Sequence, residues 1–384
     1  LKKTISIFLS LYLGLYIAAG IVSIVDDSLI IFSNANFLLP LAEALSFLAL
    51  LLTLVVYVLM GIIPMIPKRV FLPVALLYLV DTLGMLLVAI YAGSDWMRCG
   101  WEWDLTMSLC QLVLGMTILF RPGRGWKIHW PLVEEKHLGD KSFSWKNLIG
   151  FVLANVFVLA PAIVAYLVLC AALAIDHFTG GFLTVHPGGL RVQVRQYVRD
   201  DGRQVELVPM AHVADADFYQ EISQSFPTNS IVLMEGVTDE HHLLTNGISY
   251  KRMAHSLGLV EQKKEFKPQG EVIDADVDVD EFSTNTINLL NLVMLFHTKG
   301  FNLETELKLA AYSPPPDVQT QLFDDLLNKR NGHLLGKLRD ELEQTNIIII
   351  PWGAGHMPGI SEAIQKDGFH LTDTKDYTVI RFFR

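Results

Sequence analysis

Asn346-Ile347-Ile348-Ile349-Ile350-Pro351-Trp352-Gly353-Ala354-Gly355-His356 is the stretch that decides the fold of the second half of the chain. A short, strongly apolar run closed by proline and glycine reads as a strand ending in a loop. Strand candidates recur on both sides of it. Residues 190–199 and 204–210 flank Asp200-Asp201-Gly202, a hairpin turn signal. Residues 230–234 form a short buried strand, 271–279 another, and 377–382 close the chain. Helical segments lie between them: 218–226 after Asp215 or Asp217 as cap, one around 250–257, 286–297, one or two within 318–343, and one after Gly359. Strands that alternate with helices predict an α/β domain with a mostly parallel sheet and helices on both faces.

Upstream the pattern changes. Residues 4–25, 37–63, 71–92, 105–120 and 147–175 are apolar stretches at or near the about 20 residues that cross a bilayer. The fourth is the shortest. The sequence therefore predicts a membrane domain of about five helices over residues 1–175 and an α/β domain over 176–384. Lys2 and Lys3 precede the first stretch, so a cleaved signal peptide is its rival reading. The run exceeds the roughly 7–15 apolar residues of such a peptide. The first residue is Leu, consistent with a start further upstream.

Loop charge sets the expected orientation. Lys2 and Lys3, then Lys68 and Arg69, then Arg121, Arg124, Lys127, Lys136, Lys141 and Lys146 alternate with Asp26-Asp27 and with a loop holding Asp95, Glu102 and Asp104 against Arg98. The basic loops are expected in the cytoplasm, which leaves everything after the fifth stretch outside it. The expected location is the cell (inner) membrane, multi-pass, with the lipid bilayer as partner. Trp96, Trp101 and Trp103 on one side and Trp126, Trp130 and Trp145 on the other read as interfacial anchors. Glu43 and Asp81 fall within apolar runs, where a carboxylate is a functional hypothesis; its rivals are a place near a helix end for Glu43 and a hydrogen bond to a neighbouring helix for Asp81.

Composition agrees with this division. Of 384 residues 51% are hydrophobic and 18% charged, with a mean hydropathy of +0.37, which excludes a disordered chain. Residues 1–175 carry 11 Lys+Arg and 10 Asp+Glu, and the remainder carries 19 and 30. A net charge of −10 argues against nucleic acid as the main partner. Of the 3 cysteines, Cys99, Cys110 and Cys170 all precede residue 176. The second domain therefore has no disulfide framework, zinc-thiolate site or cysteine nucleophile.

Three strand ends carry polar groups that packing does not require: His212 after 205–210, Glu235-Gly236 after 231–234, and Gly353-Ala354-Gly355-His356 after 347–350. In open α/β sheets ligands bind at the carboxyl ends of strands. Two imidazoles and a carboxylate are donors suited to a divalent transition metal (Mn, Co or Zn); alternatively Glu235 is a general base. The bland reading is a set of loop residues that cap helices. No HExxH or GxSxG motif occurs, and Gly353-x-Gly355-x-x-Pro358 lacks the third glycine of the dinucleotide fingerprint.

Pro209-Met210-Ala211-His212-Val213, Met234-Glu235-Gly236-Val237 and Gly353-Ala354-Gly355-His356 together resemble the TraB family, related to the Tiki, ChaN-like and erythromycin-esterase-like proteins. Its hallmark is two GxxH motifs with a glutamate after the second strand. The second motif fits; in the first, Pro209 stands in place of glycine. Leu326-Leu327-Asn328-Lys329-Arg330-Asn331 resembles the segment before the family's last helix, and Ile273-Asp274-Ala275-Asp276-Val277 its central acidic segment. The resemblance covers about residues 203–384. It implies a metal-dependent hydrolase of the peptidase kind, with His212, Glu235 and His356 as the metal set and Glu235, Arg330 and His356 as catalytic residues. Gly353, Gly355, Asp276 and Asn331 would then help bind a peptide or small-molecule substrate. The rival is a non-catalytic peptide- or ligand-binding protein of the membrane.

Overall fold

The computed structural model describes residues 1–120, 129–245, 250–300, 302–315 and 317–383. Arg121, Arg124, Trp126 and Lys127, used in the loop-charge and anchor readings, lie outside them, as does Pro316. Residue contacts divide the chain into two units, Leu1–Leu173 and Ala174–Arg384.

The first unit is helical: α1 Lys2–Ser33, α2 Leu39–Ile62, α3 Lys68–Tyr91, α4 Trp96–Leu119 and α5 Trp145–Phe178. Among the described residues four helices, α1, α2, α3 and α5, are long and apolar enough to cross a membrane. The fourth expected stretch does form a helix, but α4 begins nine residues earlier than residue 105 and takes in Arg98, Glu102 and Asp104. Helix α1 packs against α2 and α4, and α4 against α3. Leu9, Tyr12, Leu13, Tyr16, Val56, Phe71 and Val74 form the centre of the contact. Polar groups tie helices together within it: the Tyr12 and Thr53 hydroxyls lie 2.7 Å apart, and Trp103 Nε1 donates to Asp81 Oδ1 at 3.0 Å. Trp103 thus serves the bundle rather than acting only as an interfacial anchor.

One expectation is overturned here. Asp26 and Asp27, read as a loop after the first span, lie inside α1 and are buried, at 1% and 5% exposure. The helix continues through them because α4 supplies a partner, Ser108 Oγ donating to Asp27 Oδ2 at 3.1 Å.

The second unit is an α/β domain. The strands of its main sheet are β1 Leu183–His186, β2 Gly189–Val198, β3 Gln204–Met210, β4 Ile231–Met234, β5 Glu271–Asp274, β6 Ile347–Gly353 and β7 His370–Arg381, and Val213–Ala214 pairs with Val260–Glu261 in a separate two-stranded sheet. They form one 7-stranded sheet in the order β1-β2-β3-β6-β4-β5, with β7 paired to β2. The sheet is mixed. Strands β3, β6, β4 and β5 are parallel, while β1, β2, β3 and β7 pair antiparallel. Parallel pairing is thus confined to the half that carries the strand-end residues. Helices α6 Ala216–Ser225, α7 Thr284–Lys299, α8 Arg330–Glu341 and α9 Met357–Lys366 follow strands or loops between them.

Side-chain alternation explains the layers. Val205, Leu207, Leu233, Ile348, Ile350 and Trp352 point to one face, where Leu334 and Leu338 of α8 and Met357, Ile360 and Ile364 of α9 cover them. Val208, Val232 and Ile349 point to the other, against Phe218, Tyr219 and Ile222 of α6. Because both faces of the central strands are covered, they read as continuous apolar runs.

Two strands differ from their expected extent. β5 stops at Asp274 because Asp276 and Asp278 turn their carboxylates to backbone N–H groups of Gly236, Val277, Glu240 and Asp280. The alternating aspartates are therefore not one strand face. β7 begins seven residues before 377, and its extra residues are exposed and, Leu371 apart, polar. Gly270 opens β5 at φ +98°, and a Cβ there would lie 2.6 Å from the Ser230 carbonyl oxygen. Gly270→Ala is expected to destabilise the domain by about 1–3 kcal/mol, measured as a lower denaturation midpoint.

Candidate functional site

Four parallel strands end at one edge of the sheet. Met210 pairs with Gly353, and Met234 pairs with Asp274. The residues just beyond these ends, His212, Glu235, Asp276 and His356, therefore leave the sheet on its carboxyl side, where ligands bind in open α/β folds.

Arg330 joins three of them. It enters at the start of α8, directly after a π-helical turn, Asp324–Lys329. Lys329 secures that turn, donating to Asp325 Oδ1 at 2.6 Å and to the Glu281 carbonyl at 2.8 Å. Arg330 Nε and Nη2 donate to the two Asp276 oxygens at 2.9 and 2.7 Å, and Nη2 also donates to Glu235 Oε1 at 2.8 Å. Its Nη1 lies 3.1 Å from His356 Nε2. Burial would lower the guanidinium pKa, but Asp276 and then Glu235 outweigh it and raise it. Among the described residues four of its five N–H donors are thus engaged, and one on Nη1 remains.

Glu235 is held at both oxygens. Oε2 accepts the Gly353 backbone N–H at 2.5 Å, so the glycine after the isoleucine run acts through its main chain. The Glu235 side chain keeps 13% exposure against 1% for Asp276. Asp276 also accepts from the backbone N–H groups of Gly236 and Val277. It is the structural carboxylate of the pair, and Glu235 is the one that faces the opening.

The tautomer of His356 follows from its neighbours. Nδ1 lies 2.8 Å from Asn331 Oδ1, an acceptor, so Nδ1 carries the proton and Nε2 offers its lone pair to Arg330. Burial, then the Arg330 charge, lowers its pKa from 6.5 to about 4. The unfolded chain takes up a proton below pH 6.5 that the folded chain refuses until about pH 4. Stability from this group is complete above that window and falls as pH drops through it, by about 3 kcal/mol. Denaturation midpoints on either side of the window should show this slope, and His356→Gln should remove it.

The structure thus brings together Glu235, Asp276, Arg330, Asn331, Gly353 and His356. His212 makes no hydrogen bond or ion pair with them among the described residues. Its exposed ring stacks on Tyr250, centroids 4.7 Å apart, and no contact with Glu235 or His356 is formed. Tyr250 connects the two regions electrostatically: burial, then the Glu235 charge, raises its phenol pKa. Gly355 is exposed and contributes no contact to the network. His241 lies 3.6 Å from Asp280 at the surface, away from the network.

The metal set expected from the resemblance fits this arrangement poorly. His356 Nε2 faces an N–H, both Glu235 oxygens hold N–H donors, and the His212 ring stacks on Tyr250. Among the described residues no three His, Cys, Asp or Glu side chains are grouped to hold a metal ion. Sequence reasoning missed Tyr250, which no motif marks, and the indole of Trp352. The latter donates to the Leu233 carbonyl at 3.0 Å and lies under the Arg330 guanidinium, 5.4 Å from ring to Cζ.

No family model, curated protein or solved structure matches this chain. The likeness to the TraB family rests on the motifs and their spacing.

Proposed function

We propose that the α/β unit is the catalytic part of a membrane-anchored hydrolase, acting on a peptide or another small carbonyl substrate. The observation that carries this is the half-buried Glu235–Arg330–Asp276–His356 network at the carboxyl edge of the parallel strands. Ionic groups are costly to bury and core packing does not ask for them there. In this reading Glu235, the more exposed carboxylate, takes a proton from the water as its oxygen bonds to the carbonyl carbon, and returns it to the leaving group as the bond to that group breaks. The remaining N–H of Arg330 faces the developing oxyanion, and neutral His356 holds the guanidinium in place. The TraB resemblance adds a divalent transition metal as activator of water; the donors described above do not favour it, and no step is derived through it.

The helical unit is read as the anchor in the cell membrane. Helix α4 counts as a crossing because its 24 residues span about 36 Å and it packs between α1 and α3. Five crossings from a basic, cytoplasmic N-terminus leave the α/β unit outside the cytoplasm.

A second reading, capture of a peptide or small ligand without turnover, is favoured by the engagement of four of the five Arg330 N–H donors by its own neighbours. One experiment separates them. The full-length protein in detergent is incubated with a mixed peptide library, with and without chelator or added Mn, Co or Zn. Cleavage that Glu235→Gln abolishes supports the hydrolase, and its chelator response decides the metal. Peptide binding without cleavage by folded protein under every metal condition supports capture.

A further inference from the structure

The helical unit holds a cavity of about 310 Å³ whose wall includes five carboxylates, Asp26, Asp27, Glu43, Asp81 and Asp104, and no Lys, Arg or His. Two of them have internal donors, Ser108 for Asp27 and Trp103 for Asp81. Asp26 is different. It is 1% exposed, and among the described residues its buried Oδ1 has no hydrogen-bond partner. A buried carboxylate oxygen normally has a donor or a cation opposite it.

We propose that this cavity binds a small organic cation, an amine or quaternary ammonium group, with Asp26 as its main counter-charge. The sign follows from the wall, which offers negative charge and no basic side chain. The size follows from the volume, at the lower end of small-molecule pockets. A bare metal ion is disfavoured because the carboxylates are spread around the wall: among the described residues no three are grouped to hold one. The wall also contains Trp101 and Tyr78, and aromatic faces attract quaternary ammonium groups. This site is independent of the hydrolase reading.

The probes are choline and tetraethylammonium, titrated calorimetrically into the full-length protein in detergent. The neutral carbon isostere of choline, sodium and magnesium serve as comparisons. Saturable binding of at least one organic cation, with the isostere silent, is expected. Asp26→Asn should weaken it about tenfold or more. Glu43→Gln, at an exposed position that folding tolerates, should weaken it less, and it supplies the test if Asp26→Asn does not fold. The proposal is overturned if folded wild-type protein binds neither probe. Equal binding of the neutral isostere, full displacement by sodium or magnesium at matched charge, or an affinity unchanged in the variants would also overturn it.

Discussion

Arg330→Ala is expected to destabilise the α/β unit by about 3–5 kcal/mol, the usual cost of removing one partner from a buried ion pair. Two carboxylates depend on this guanidinium, at 2.7 and 2.8 Å, and the Asp276 side chain is only 1% exposed. Water cannot replace the lost donors at Asp276 without opening the sheet edge. The backbone N–H groups of Gly236 and Val277 still reach Asp276, and that of Gly353 still reaches Glu235, which keeps the loss from being larger. Arg330→Lys should recover part of the charge term but not the paired donors to Asp276. The readout is hydrogen exchange at residues 347–353 in the full-length protein, where the arginine network meets the strand end. Arg330→Ala combined with Asp276→Ala should cost less than the sum of the two. Strict additivity would mean that the pair is not coupled and that the network is not what holds this edge.

How far the site was legible in the sequence depends on the kind of signal each residue leaves. The four isoleucines before Pro351 mark a buried strand because covering both faces removes the alternation. Glu235 and His356 were visible as polar groups at apolar strand ends. Arg330, Asn331 and Asp276 left no such mark and entered only through the family resemblance, since their place depends on a helix and a loop far away in sequence. His212 had the same strand-end signature as Glu235, yet its ring is taken by Tyr250, a partner that strand patterns do not encode. The first seven residues of β7 were missed for a related reason. They are exposed and, Leu371 apart, polar, and the ladder with β2 holds them rather than burial. Asp26 and Asp27 failed in the opposite direction: charge ended the apolar run on paper, while α4 keeps them inside the bundle.

In the hydrolase reading, Glu235→Gln should lower kcat by about 10²–10⁴-fold, the range for losing a positioned general base, with a smaller change in KM. The difficulty is that glutamine also disturbs the network. Its amide oxygen can still accept from Arg330, but its NH₂ cannot accept from the Gly353 N–H that now meets Oε2. That mismatch alone costs about 1–3 kcal/mol of stability, which lost folding would register as lost activity. Asp276→Asn is the control. It loosens the same guanidinium from the buried side, at 1% exposure, whereas Glu235 at 13% is the carboxylate a substrate reaches. If Glu235 acts as base, the glutamine variant loses kcat under conditions where hydrogen exchange reports it folded, and the asparagine variant loses stability with a much smaller fall in kcat, the part due to the loosened Arg330. Equal loss of kcat in both, in step with their stabilities, would make Glu235 a support for Arg330 and return the cleft to a ligand-holding role.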